Sequence, residues 1–194
     1  MSARMVILGP PGAGKGTQAA RICERLDVPA ISTGDIFRAN VAGGTELGRQ
    51  AKEYMDAGEY VPDSVTNAMV ADRLAADDAA AGFLLDGYPR TEAQVHELDA
   101  MLAAAGIALD VVLEITADAE VVVQRLLGRA AEQGRADDTE PVIRRRLEVY
   151  AEQTEPLAAL YEQRGLLVRV DGVGELDQVT DRIMAALASR GVTA

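Results

Sequence analysis

The nine residues Gly9-Pro10-Pro11-Gly12-Ala13-Gly14-Lys15-Gly16-Thr17 constrain this chain more than any other stretch. They follow the apolar run Met5-Val6-Ile7-Leu8 and precede an amphipathic segment at residues 18–26. Glycines at this density let the backbone turn tightly and aim successive N–H groups inward. A helix beginning just behind them adds unpaired N–H groups and the positive end of its dipole. A strand, a glycine-rich turn ending in Lys and then a helix make a phosphate-binding P-loop, in which Lys15 reaches the β- and γ-phosphates. One position departs from the general pattern. The residue after Lys normally carries a hydroxyl that ligates Mg²⁺; here it is Gly16, and Thr17 comes one place later. The metal is therefore expected to be held mostly by phosphates and water. That departure points away from GTPases and motor ATPases, which normally keep the hydroxyl directly after Lys.

A P-loop needs a parallel sheet behind it, and the rest of the chain supplies one. Phe83-Leu84-Leu85, Val111-Val112-Leu113-Glu114-Ile115 and Leu166-Leu167-Val168-Arg169-Val170 read as buried strands, with Pro29-Ala30-Ile31-Ser32 a weaker fifth. Helical material separates them, so the expected fold is α/β, a five-stranded parallel sheet flanked by helices. The last helix is expected to bury Leu176, Val179, Ile183 and Leu187 on one face. A long helix starts near Pro141 with Ile143, Leu147 and Tyr150 on one side, and Pro156 is expected to bend or interrupt it. With 194 residues the chain fits a single domain. Two segments do not read as core. Residues 34–62 form an insertion after the second strand, and residues 129–138 read as an exposed polar loop.

Composition narrows the chemistry. One cysteine, Cys23, forbids an intrachain disulfide, and one histidine, His96, rules out a Cys/His zinc cluster. Cys23 reads as a buried helix residue and His96 as an incidental surface one. A formal net charge of −12 argues against a nucleic-acid partner. No apolar run reaches membrane-spanning length and no cleavable signal pattern opens the chain, so a cytoplasmic location is expected. Cations then become informative where they gather. Asp86-Gly87-Tyr88-Pro89-Arg90 closes the third strand, with Asp86 set to orient water on Mg²⁺ and Pro89 fixing a turn that aims Arg90. Arg125 and Arg129 share a helix face, Arg135 follows in the polar loop, and Arg146 lies on the next helix. Four guanidinium forks around one loop suggest a clamp for several phosphates, and a salt-bridged surface is the plainer alternative for any one of them.

Together these segments resemble the adenylate kinase family over essentially the whole chain. The resemblance rests on the P-loop, Ile31-Ser32-Thr33-Gly34-Asp35, Leu84-Leu85-Asp86-Gly87-Tyr88-Pro89-Arg90-Thr91, Gly134-Arg135-Ala136-Asp137-Asp138 and Val170-Asp171-Gly172, in the family's order. It implies phosphoryl transfer from Mg·ATP to AMP, giving two ADP. It implies that Gly12, Ala13, Gly14, Lys15, Gly16 and Thr17 hold ATP phosphates, with Arg129, Gly172 and Gly174 on the same side. Thr33 and Gln94 match positions that recognise the adenine of AMP, and Arg38 and Arg90 those that hold its phosphate. Glu59, Tyr60 and Val61 line that pocket, with Gly87, Tyr88 and Pro89 beside Arg90. Lys15, Arg90, Arg125, Arg129, Arg135 and Arg146 gather around the transferring group, and Asp137 and Asp138 match a lid pair. The ten residues 129–138 correspond to a short, zinc-free lid, although Ala130-Ala131-Glu132-Gln133 looks like a small extension. The resemblance also favours a monomer. Two alternatives stay open on the residues alone. Kinases of UMP/CMP or GMP share the phosphate sites, so the choice of base rests on Thr33 and Gln94. A nucleotide-reading switch would need a guanine-binding Asn-Lys-x-Asp segment, and none is present.

Overall fold

The computed structural model describes residues 3–133 and 139–193, with the side chains of these apart from 119, 120 and 129–133. The central strand β1 (Arg4–Leu8) is flanked by β3 (Phe83–Asp86) and β4 (Val111–Thr116), with β2 (Ala30–Ser32) and β5 (Leu167–Asp171) at the edges. All neighbours run parallel, in the order β2-β3-β1-β4-β5. The expected five-stranded sheet is thus present, its strands displaced by a residue at most of their ends.

Alternation along β1 divides the interior in two. Met5 and Ile7 face α1 (Lys15–Leu26) and α9 (Leu176–Ala188), meeting Ile22, Cys23, Ile183 and Leu187. Val6 and Leu8 face α5 (Glu92–Ala104) and α8 (Pro156–Gln163), meeting Val95, Leu98, Leu157 and Tyr161. Burying each such aliphatic side chain contributes about 1.5–3 kcal/mol. Cys23 is one of these fillers, and burial pushes its thiol from 9.0 up to about 12. The adjacent strands β1 and β3 send their chains to helices on opposite faces, which opens a crevice at their carboxyl ends.

Between β2 and β3 the chain forms α2 (Thr33–Ala42), α3 (Glu46–Ala57) and α4 (Asp63–Leu74). Ser32 Oγ caps α2 by accepting from Asp35 N at 3.2 Å, and Thr45 Oγ1 caps α3 by accepting from Gly48 N at 3.0 Å. The pair has a small apolar centre of its own in Phe37, Ala51 and Val61. At Gly48 the backbones touch: a Cβ there would stand 2.1 Å from Asn40 O, so no other residue lets α2 and α3 pack this closely.

Three elements differ in detail from the sequence reading. Helix α6 (Ala119–Gln133) runs through residues 129–133, which had read as loop. Their Ala, Glu and Gln are strong helix formers, which lets the helix continue without an apolar period in the sequence. Leu176 is not buried with its neighbours; it is 43% exposed at the first turn of α9. Pro156 does interrupt the long helix, but gently. After α7 (Glu140–Val149), residues Tyr150–Thr154 form a wide π turn, with Glu155 N bonded to Tyr150 O, and α8 restarts at Pro156. Among the described residues no helix is long and apolar enough to cross a membrane.

The chain carries seventeen Arg against two Lys, and its arginines serve different ends. Arg21, Arg25, Arg73 and Arg164 pair with Asp177, Asp181, Asp78 and Asp99 at the surface. Arg169 answers the buried Glu114 directly across β4 and β5 at 2.8 Å and also reaches Glu162 at 2.6 Å. Arg38, Arg90, Arg125 and Arg146 instead border the crevice.

Candidate active site

Gly14 takes a left-handed conformation (φ 92°) as the cap of α1, which begins at Lys15 and points its first N–H groups into the crevice. Lys15 Nζ folds over the loop, donating to Gly9 O at 2.7 Å and Pro10 O at 3.0 Å. Helix α6 lies directly against the loop. A Cβ on Gly12 (φ +85°) would come within 2.8 Å of Leu126 Cγ and 2.9 Å of Val122 O. Asp86 ends β3 beside Ile7 of β1. A Cβ at Gly16 would stand 3.7 Å from Asp86 Oδ2. The carboxylate therefore faces the place where other P-loops carry their hydroxyl.

Across the opening, Arg125 Nη2 donates to Gly172 O at 3.1 Å. The turn from β5 to α9 is stapled at both ends. Asp171 Oδ1 accepts from Val173 N at 2.9 Å, and Arg182 donates to Val173 O at 2.5 Å. These parts border a cleft of about 780 Å³ lined by residues 12–17, Asp86, Arg125, Arg146, Gly172, Gly174 and the exposed Leu176.

A second, smaller cavity of about 120 Å³ opens between α2, α3 and the turn after β3. Thr33, Arg38, Glu59, Tyr60, Val61, Gly87, Pro89, Arg90 and Gln94 all border it. Thr33 is buried and donates its hydroxyl to Gly87 O at 2.9 Å. Arg90 is gripped at four points. Its N–H donates to Gln94 Oε1 at 2.7 Å, its Nε donates to Gly87 O at 2.7 Å, and its carbonyl accepts from Thr154 Oγ1 at 2.7 Å. Its guanidinium lies 4.8 Å from the centre of the Tyr60 ring. Because Thr154 spends its one hydroxyl hydrogen on Arg90, Tyr60 must be the donor in their 2.7 Å contact. Gln94 Nε2 donates to Asp63 Oδ1 at 2.6 Å. Arg38 pairs with Asp35 at 2.5 Å, and Glu59 with Arg145 at 2.5 Å.

Most of the residues singled out in the sequence are brought together here. Tyr88 borders neither cavity. It is buried, burial raises its phenol well above the ordinary range, and its neutral O–H donates to Asn67 Oδ1 at 2.9 Å. Its side chain thereby holds the turn that carries Arg90. Arg135, Asp137 and Asp138 lie outside the described residues, and Arg129 is described only in its backbone. Asp63, Thr154 and Arg145 were not anticipated. Asp63 reads as an ordinary first-turn carboxylate, and Thr154 lies 60 residues and more from the groups it joins. Among the described residues no cluster of three or more His, Cys, Asp or Glu side chains is placed to hold a metal ion.

Lys15, Arg38, Arg90 and Arg146 border both cavities. Among the described residues four cations thus stand where the two spaces meet, and no histidine borders either space.

Comparison with known proteins agrees with this arrangement. Residues 7–166 match the family model described as adenylate kinase. An adenylate kinase of Kocuria rhizophila is 70% identical over 184 residues, covering 95% of this chain and 98% of that one. One of Renibacterium salmoninarum is 65% identical over 95% of each chain, and one of Thermobifida fusca 60% identical over 96% of this chain and 99% of its own. With a P-loop, a second cavity and cations between them, on a sheet of this order, the chain belongs to the adenylate kinase family.

Proposed function

We propose that the chain transfers the terminal phosphoryl group of ATP, bound as its Mg²⁺ complex, to AMP, giving two ADP, and that it runs in both directions. The observation that carries this reading is the shared border. Lys15, Arg38, Arg90 and Arg146 line both cavities, so anions entering from either side converge on the same positive groups. In this reading ATP takes the larger cleft, with its phosphates on the N–H groups of residues 12–17. AMP takes the smaller cavity, with its phosphate on Arg38 and Arg90 and its base against Thr33 and Gln94. The attacking AMP oxygen is already anionic, so no general base is required. Catalysis then consists of in-line positioning and neutralisation of charge spread over the transferred oxygens.

The residues suit Mg²⁺. Asp86 sets a carboxylate beside the P-loop where it would orient water on the ion, and an ion of this kind commonly keeps several waters while the phosphates hold it. Bound there, it would supply positive charge to the β- and γ-phosphates. Arg125 and Arg146 border the same cleft and add charge from the opposite wall. Water competes with AMP as acceptor, so both nucleotides must be enclosed. Segment 34–62 is proposed to close over AMP, and segment 129–138, with Arg129, Arg135, Asp137 and Asp138, over ATP. Reopening, not transfer, then sets turnover; a single-turnover rate equal to the steady-state rate would contradict this. We further propose that the enzyme works as a cytoplasmic monomer without zinc.

The test of the acceptor is a panel of AMP, GMP, CMP and UMP with Mg·ATP. AMP is expected to give the highest kcat/KM, and preferred use of a pyrimidine nucleotide would overturn the reading.

A further inference from the structure

We infer that Asp63 is a specificity-determining positioning residue, which locks the side-chain amide of Gln94 in the orientation that accepts a 6-aminopurine and refuses a 6-oxopurine. The inference rests on the proposed role of Gln94 as a reader of the acceptor base. An amide can usually turn end for end, exchanging its oxygen and nitrogen. Here it cannot. Nε2 faces the Asp63 carboxylate, which can only accept, at 2.6 Å. Oε1 faces the Arg90 backbone N–H, which can only donate, at 2.7 Å. A flip would set the amide oxygen against a carboxylate oxygen and the amide nitrogen against an N–H. Gln94 is 1% exposed, so no water would repair either clash.

Two of the amide's hydrogen-bonding positions are thereby used, and one N–H and one oxygen lone pair remain for the smaller cavity that Gln94 borders. That pair complements a ring nitrogen beside an exocyclic amino group. An oxo group in place of the amino group meets a carbonyl oxygen that is unable to turn away. Asp63 itself is half-buried in the first turn of α4 and borders neither cavity, so it acts through Gln94 and not on the ligand. Its other oxygen accepts from Thr91 Oγ1 at 3.4 Å, and the same hydroxyl caps α5 by accepting from Gln94 N at 3.2 Å. The carboxylate therefore sets both the amide and the turn of helix that carries it.

The experiment compares kcat/KM for AMP with that for IMP, the 6-oxo analogue, in the wild type, Asp63→Ala, Asp63→Asn and Gln94→Leu, with melting temperatures for each. Asp63→Ala is expected to raise KM for AMP about tenfold, to keep kcat within about twofold, and to shrink the AMP/IMP ratio about tenfold. Asp63→Asn keeps the shape but can present its own amide either way, and is expected to shrink the ratio about threefold. Equal losses on AMP and IMP would mean a purely structural carboxylate and would overturn the inference. If Asp63→Ala does not fold, an unchanged ratio in Asp63→Asn overturns it alone. Gln94→Leu separates the two readings: a ratio it leaves intact removes Gln94 as base reader. A ratio that it collapses while the Asp63 variants leave theirs intact removes only the role given to Asp63.

Discussion

The two cavities keep their cations in place by opposite means. On the larger side the holding groups are main chain: Lys15 rests on the carbonyls of Gly9 and Pro10, and Arg125 on the carbonyl of Gly172. Among the described residues these contacts are made to the loop's own backbone and the turn after β5. On the smaller side Arg90 is held by Gln94, Thr154 and Tyr60 as well as by Gly87 O, and Gln94 in turn by Asp63. Those four side chains come from three separate parts of the chain: residues 60–63, α5 and the π turn. A site made of main chain tolerates change at its rim but not in its glycines. One made of linked side chains can be retuned link by link, and each link trades affinity and selectivity rather than the rate of the chemical step.

Lys15→Met should have the largest effect and should strike the rate. It removes a charge aimed at the transferring group, and such losses cost about 10²- to 10³-fold in kcat. It also leaves the carbonyls of the buried Gly9 and the half-buried Pro10 without their donor, so a modest fall in melting temperature should accompany the loss of rate. A fall below tenfold, or one confined to KM, would break the contrast between the two sides.

Thr154→Val should come next and should strike affinity. Valine keeps the shape but strands the Tyr60 O–H and the Arg90 carbonyl, both joined through a residue that is 4% exposed. Orphaning buried groups of this kind costs about 1–3 kcal/mol. Denaturant titration should register that loss, and KM for AMP should rise while KM for ATP stays near its original value. An equal rise in both would mean that the π turn serves the whole crevice, and the division between a main-chain side and a side-chain side would be too simple.

The same contrast explains what could be read before the structure. The P-loop is a local device: nine consecutive residues contain their own turn, their own cation and the helix start behind them. Five apolar runs likewise marked the strands, because a parallel strand buried on both faces has little choice of residue. Asp63 and Thr154 carried no such mark, since their partners lie 31 and 64 residues away and a lone Asp or Thr fits many roles. Leu176 failed for a related reason: its spacing matched a buried face, but that face runs out at the first helical turn, where the larger cleft begins. Arg129–Gln133 misled in the opposite sense, because a polar stretch without large apolar residues offers no helical period in the sequence.

The smallest effect is expected at Gly16, and it separates the needs of the fold from those of the ligand. Gly12 has a positive φ and no room for a side chain, so its glycine is required by packing. Gly16 lies in the first turn of α1 with an ordinary helical backbone, and an added Cβ meets only Asp86 Oδ2 at 3.7 Å. Among the described residues nothing in the packing calls for glycine there. Gly16→Ala should therefore raise the stability of the nucleotide-free protein by about 0.5–1 kcal/mol, by limiting the unfolded chain and favouring the helix. If calorimetry shows that gain while turnover falls, the glycine serves the metal and phosphates that pass between α1 and Asp86. If the variant is instead less stable, the main-chain side is more tightly constrained than its open geometry allows, and the distinction between Gly12 and Gly16 fails.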